Sequence, residues 1–117
     1  MHTWSFLGLS LLSLSACVSS RSVALGVGAP PRPDDCSLSY ERADPAQVGA
    51  QWRQVGTVCV AGGDAPQIDV SDVYEPGEAK DTLSARACQL GAEMVSPVGL
   101  CSNGRQQGIE FGAYVKR

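Results

Sequence analysis

The chain has 117 residues, with 9 basic and 12 acidic side chains that give a formal charge of −3. A chain of this length forms a small domain, and its scattered cations offer no basic face of the kind that nucleic-acid binders carry. Its single histidine is His2, so the rest of the chain cannot form a Ser-His-Asp triad or a His-containing zinc site. We therefore expect no nucleic-acid partner, no cofactor and no enzymatic activity.

An apolar segment near the N-terminus predicts export. Residues 6–14 (FLGLSLLSL) are too few to cross a bilayer as a helix, which takes about 20 apolar residues, so they are typical of a signal-peptide core. The run Leu14-Ser15-Ala16-Cys17 follows directly. It resembles the recognition site of bacterial lipoprotein signal peptidase, which implies cleavage after residues 1–16 and a lipidated Cys17. Plain secretion, with cleavage after Ser15, is the alternative.

The predicted anchor sets the expected location. Several acyl chains on Cys17 would attach the protein lastingly to a membrane, whereas a single chain binds only marginally. The next residue is Val18 rather than the aspartate that retains lipoproteins in the inner membrane. By resemblance to the usual sorting rule, we expect the outer membrane of a bacterial cell envelope.

Three regions follow from composition and periodicity. Residues 1–16 are the predicted signal peptide. Residues 17–35, rich in Ser, Gly, Pro and Ala without an apolar period, predict a lipidated cysteine followed by a flexible tether. Residues 36–117 form the predicted domain, which is small enough to need covalent stapling.

The predicted elements of the domain have the order ββαββ. We expect strands at 36–41 and 54–60, a helix at 76–90, and strands at 94–101 and 109–116, the last two joined through an Asn-Gly turn at 103–104. The helix carries an apolar stripe of Ala79, Leu83, Ala87 and Leu90 and ends at Gly91; the last strand alternates Ile109, Phe111, Ala113 and Val115. This pattern predicts an α+β fold, with a small mixed sheet and one helix packed on one face.

Four cysteines besides Cys17 predict two disulfides. An even number in a small exported domain is typical of structural bonds, and four cysteines allow three pairings. Strand alternation turns Cys59 away from the helix, and turns Cys101 away from a face shared by Met94, Val98 and Leu100. This geometry favours Cys59–Cys101 and leaves Cys36 for Cys88 on the flank of the helix. Pro97 predicts that its strand is bulged or lies at an edge. A zinc or redox site is the alternative, although Cys-x-x-Cys is absent.

Two further groups are candidate sites. Acidic side chains crowd one segment: Asp64, Asp69, Asp72, Glu75, Glu78 and Asp81. Their spacing fits no EF-hand loop, so we expect a solvated loop without a metal, rather than a calcium site or a glycosidase carboxylate pair. Trp52 and Tyr114 are candidate contacts for a protein partner, since such residues are enriched in binding hot spots; the alternative is that both belong to the core.

Two segments resemble a known family. Residues 52–58 (WRQVGTV) and 85–95 (ARACQLGAEMV) are similar to small uncharacterised bacterial lipoproteins and, more distantly, to the RcsF-like envelope-stress sensor lipoproteins. The resemblance implies disulfides, an outer-membrane anchor and partner binding without catalysis. We therefore expect a binding, sensing or structural role in the envelope, with an envelope protein as partner. A metal-binding or thiol-redox domain is the alternative.

Overall fold

Five strands and two helices make up the part of the fold that the structure describes. The structure, a computed structural model, describes residues 18–42, 45–62 and 78–117. In chain order the elements are β1 (Val18–Ala24), β2 (Ser39–Tyr40), α1 (Pro45–Gln51), β3 (Trp52–Gly62), α2 (Glu78–Gln89), β4 (Met94–Asn103) and β5 (Gln106–Lys116). The strands form one sheet in the order β1-β3-β5-β4-β2. Because β2 is parallel to β4 and the other pairs are antiparallel, the predicted mixed α+β fold is confirmed.

One face of the sheet is covered by α2. Leu83 and Ala87 of this helix are buried against a cluster of valines and other apolar side chains from β3, β4 and β5. The predicted apolar stripe of α2 is confirmed, with Ala79 and Leu90 partly buried at its ends. The predicted core face of β5 is also confirmed: Ile109, Phe111, Ala113 and Val115 all belong to the cluster.

The C-terminus of α2 ends as predicted, at a glycine. Gly91 has a φ of 79°, a left-handed conformation that strains residues with a Cβ. Its N–H donates to the Cys88 carbonyl, and the Ala92 N–H donates to the Ala87 carbonyl. These two bonds form a Schellman motif, which satisfies carbonyls that the helix itself leaves unpaired.

The sheet curls around β5. In a flat sheet the two neighbours of one strand lie about 9.5 Å apart, yet the Cα atoms of Cys59 on β3 and Cys101 on β4 are 6.0 Å apart. The Ser19 hydroxyl on β1 donates to Gln106, and the Asn103 amide donates to Ser19. These contacts bring β1 and the β4–β5 turn together over the face opposite α2, which we call the concave face.

Both disulfides have the predicted pairing. Cys36 is bonded to Cys88 on the flank of α2, and Cys59 is bonded to Cys101 on the concave face. The bonds close segments with separations of 52 and 42 residues. On the chain-entropy model each loop contributes about 4 kcal/mol to the free energy of unfolding.

The expected tether is wrong for most of its length. Residues 18–24 form β1, which pairs with β3 from Val18 opposite Gly62 to Ala24 opposite Gly56. The segment after β1 is also fixed, since the Arg32 N–H donates to the Cys88 carbonyl and the Arg32 guanidinium to the Ala92 carbonyl. The apolar pattern of the sequence does not reveal this strand, because most of its side chains are polar. Several of these side chains are bonded within the fold; the Arg86 Nε, for example, donates to the Ser20 hydroxyl.

The expectation for the face of β4 needs correction, and one helix was not expected. The register between β4 and β5 shifts between Pro97 and Gly99, which confirms the predicted bulge but interrupts the alternation on which the shared face of β4 was based. Met94 lies with Tyr114 in a second cluster, whereas Val98 and Leu100 are 54% and 85% exposed. The short helix α1 was not anticipated.

Gly91 offers a test of how firmly residues 29–33 pack on the end of α2. A Cβ at Gly91 would lie 2.5 Å from the Pro30 carbonyl oxygen, whereas nothing lies within 4 Å of a Cβ at Gly104, whose φ is 63°. Gly104→Ala therefore measures the backbone cost alone, about 1–2 kcal/mol. We expect Gly91→Ala to lower the free energy of unfolding by at least about 1 kcal/mol more. Equal losses in denaturant titrations would contradict this packing.

Candidate functional site

A groove opens at one end of the concave face. It has a volume of about 490 Å³ and lies between α1, the start of β3, the bulge of β4 and the end of β5. Its lining includes Val48, Trp52, Ser96, Val98, Tyr114 and Arg117. The structure thus brings together Trp52 and Tyr114, the two residues that the sequence marked as candidate partner contacts. Tyr114 is buried and Trp52 packs beside it, which supports the interpretation that both belong to the core; their contact with a protein partner stays a prediction.

Tyr114 forms the polar centre of the groove. Its side chain is only 7% exposed, and its ring covers Gly112, where a Cβ would lie 2.6 Å from the ring carbon Cζ. Burial raises the pKa of the Tyr114 phenol, because the charged phenolate loses its hydration. Within the described part of the chain its hydroxyl has no hydrogen-bond partner. A buried hydroxyl normally finds one, so the groove presents an unused donor and acceptor.

One wall of the groove is fixed by the last residue of the sequence. The backbone N–H of Arg117 donates to the Gln51 carbonyl, and its Nε donates to the carbonyls of Gly49 and Trp52. These oxygens lie at the C-terminal end of α1, where helical carbonyls lack intrahelical partners. Arg117 therefore holds α1 against β3 and brings a positive charge to the groove.

The chemistry of the groove suits binding. Its lining combines the apolar side chains of Val48, Trp52 and Val98 with hydroxyls and one guanidinium. Among the described residues that line the groove there is no histidine, carboxylate side chain or free thiol. It can offer an apolar floor, hydrogen bonds and a cation to a bound segment. Sequence reasoning missed Val48, Ser96 and Arg117, because only the fold brings them next to Trp52.

The other candidates lie elsewhere. Cys17 and four of the acidic residues, Asp64 to Glu75, fall outside the described residues. Asp81 is an exposed residue of α2, and Glu78 begins that helix. Within the described ranges, no helix has the length and apolar character needed to cross a membrane.

Comparisons with known proteins bear on the fold. No protein-family model matches the chain, and no curated protein matches it. The chain is similar to a crystal structure of the Francisella virulence factor FvfA in its orthorhombic form, with a TM-score of 0.55 and 13% sequence identity. The match covers 84% of this chain and 97% of the FvfA chain. At this identity the likeness concerns the fold alone.

The buried phenol predicts a pH dependence at alkaline pH. Because the pKa of Tyr114 is raised in the folded protein, its contribution to stability is present below the unfolded value near 10 and is lost as pH rises through the folded pKa. We expect Tyr114→Phe to remove this part of the alkaline loss of stability. At pH 8 the same variant should change the free energy of unfolding by less than about 1 kcal/mol, since the hydroxyl lacks a partner.

The control is Tyr114→Ala, which should cost about 3–5 kcal/mol at both pH values through the lost ring. Urea titrations at pH 8 and above pH 10 measure both effects. A large loss for Tyr114→Phe at pH 8 would mean that the hydroxyl is bonded within the fold.

Proposed function

We propose that this protein is a lipid-anchored lipoprotein of the bacterial outer membrane, and that it binds an envelope protein without catalysis. The proposal rests on the run Leu14-Ser15-Ala16-Cys17 and on a fold held by two disulfides, which persist in oxidising compartments such as the envelope. The single observation that carries the binding role is the hydroxyl of the buried residue Tyr114, which is unpartnered within the described ranges and belongs to the lining of an open groove.

The position of β1 supports an orientation for the anchored protein. Strand β1 begins at Val18, directly after Cys17, so no spacer separates the lipid from the sheet. Val18 pairs with Gly62 at one end of β3, whereas Trp52 lies at the other end of this 11-residue strand. At about 3.3 Å per residue, the groove lies about 30 Å from the lipid end of the sheet. The groove would therefore point away from the membrane.

The lining of the groove supports a protein as its occupant. Trp, Tyr and Arg are the residues most enriched in binding hot spots, and the groove holds Trp52, Tyr114 and Arg117. We expect the bound segment to place an apolar side chain between Trp52 and Val98. A carbonyl or carboxylate of the same segment would accept hydrogen bonds from Tyr114 and Arg117.

The anchor is tested by the mass of the protein extracted from membranes. We expect acyl mass on Cys17 in the wild type and none in Cys17→Ser, because the other four cysteines are held in disulfides. Cys101→Ser is the matched cysteine control and should keep the acyl mass. A wild-type protein without acyl chains would contradict the lipoprotein assignment.

The groove is tested by photo-crosslinking in cells. A photoreactive residue at Val98, which is exposed beside the groove, should capture an envelope protein, whereas the same residue at Asp81 on the exposed side of α2 should not. Tyr114→Phe should lower the affinity for the captured protein about fivefold, the equivalent of one hydrogen bond of about 1 kcal/mol. Equal capture from both positions, or unchanged affinity in Tyr114→Phe, would contradict the groove as the binding site.

A further inference from the structure

Apart from the groove, the concave face carries a group of three side chains that could bind a metal ion. The sulfurs of Cys59 and Cys101 and a carboxylate oxygen of Glu110 all lie within 4.8 Å of one another. Cys59 is 2% exposed, while Cys101 and Glu110 are half-buried. Three side chains of the types that bind zinc and related cations therefore converge on one point of the sheet.

Backbone pairing helps to hold this cluster together. Cys59 on β3 lies directly opposite Glu110 on β5, and Cys101 on β4 lies opposite Gly108, two residues before Glu110. Both flanking strands are thus hydrogen-bonded to the same segment of β5. A Cβ at Gly108 would lie 2.7 Å from the Val60 carbonyl carbon, so this glycine permits the close approach of β3. None of these backbone hydrogen bonds passes through the sulfur–sulfur bond, so we expect them to persist when it is cleaved.

Glu110 has no evident structural partner. Its side chain takes part in no hydrogen bond or ion pair within the described residues. Sulfur atoms of a disulfide are weak acceptors and offer nothing to a carboxylate. Two thiolates and a carboxylate would carry three negative charges, of which a shared divalent cation would offset two.

We propose that reduction of the Cys59–Cys101 bond converts this cluster into a site for a zinc-like divalent cation. A dithiol reductant supplies two electrons and two protons: the sulfur–sulfur bond breaks, two thiols form, and the reductant becomes a disulfide. The cation then displaces one proton from each thiol and takes the Glu110 carboxylate as its third protein ligand. Water completes the tetrahedral set that zinc favours.

The distance between the Cα atoms of Cys59 and Cys101 suits a bound cation in place of the disulfide. A tetrahedral zinc bound at about 2.3 Å holds two sulfurs about 3.8 Å apart, which side-chain rotation can provide when the Cα atoms are 6.0 Å apart. Two thiolates favour zinc, cadmium or cobalt over magnesium or calcium, which prefer oxygen ligands. The oxidised protein has no thiolate at this position, so the redox state would control cation binding.

The test uses the full acylated protein in detergent, with cadmium as the probe. After reduction with a phosphine we expect one Cd²⁺ per protein, detected by thiolate-to-cadmium absorption, and none in the oxidised protein. Zn²⁺ should slow alkylation of Cys59 and Cys101 about 10-fold or more while leaving Cys36 and Cys88 unprotected, as read by peptide mass spectrometry. Loss of an outer-shell partner already weakens metal binding about 10-fold. Direct ligation by the two sulfurs should therefore protect them from alkylation by at least this factor.

Two carboxylate variants separate a built site from a simple pair of thiols. Glu110→Gln should weaken Cd²⁺ binding at least about 10-fold, whereas Glu41→Gln, at an exposed position beyond β2, should leave it unchanged. The proposal is overturned if the reduced protein binds no Cd²⁺, whether or not it stays folded. Equal protection of all four cysteines, or unchanged affinity in Glu110→Gln, also overturns it.

Discussion

The fold depends on the pairing of β5 with β3 on one side and β4 on the other. Because side chains alternate along β5, it contributes apolar residues such as Phe111 to the core beneath α2 and, on the opposite face, Gly108, Glu110, Gly112 and Tyr114. The two glycines leave the concave face open for the curl of the sheet and for the Tyr114 ring. The packing of the core, the shape of the groove and the position of Glu110 beside the Cys59–Cys101 disulfide therefore all depend on β5.

The concave face divides into two ends with different chemistry. At the end near Val18, Ser19 and the Cys59–Cys101 bond close the sheet against the β4–β5 turn. At the other end α1 and Arg117 leave a groove open instead. A lipid attached to the residue before β1 would place the closed end at the membrane and the open end away from it. Under the proposed anchoring, the same curl of the sheet would give both a rigid attachment and an accessible binding surface.

Sequence patterns predicted the parts of the fold in which local signals and packing agree. The stripe of α2, the alternation of β5, the cap at Gly91 and both disulfide pairings follow from periodicity and from where each cysteine falls on it. Strand β1 was not predicted because Val18 is followed by four polar residues, of which Ser19 and Ser20 are hydrogen-bonded to other side chains on opposite faces of the sheet. The groove was predicted only in part, because Val48, Ser96 and Arg117 meet only through tertiary contacts. The bulge at Pro97 also changes which residues of β4 share a face.

We propose that the domain is joined directly to a lipid anchor on Cys17, with the groove pointing away from the bilayer. The most direct measurement is energy transfer from a fluorescent residue at position 105 or 49 to an acceptor dye in the membrane, with the acylated protein in vesicles. Arg105 lies in the turn beside Ser19, and Gly49 lines the groove. We expect strong transfer from position 105 and weak transfer from position 49, since the two ends of the sheet are about 30 Å apart. Equal transfer from both positions would mean that the domain tumbles on a flexible tether, and would rule out the proposed direct attachment.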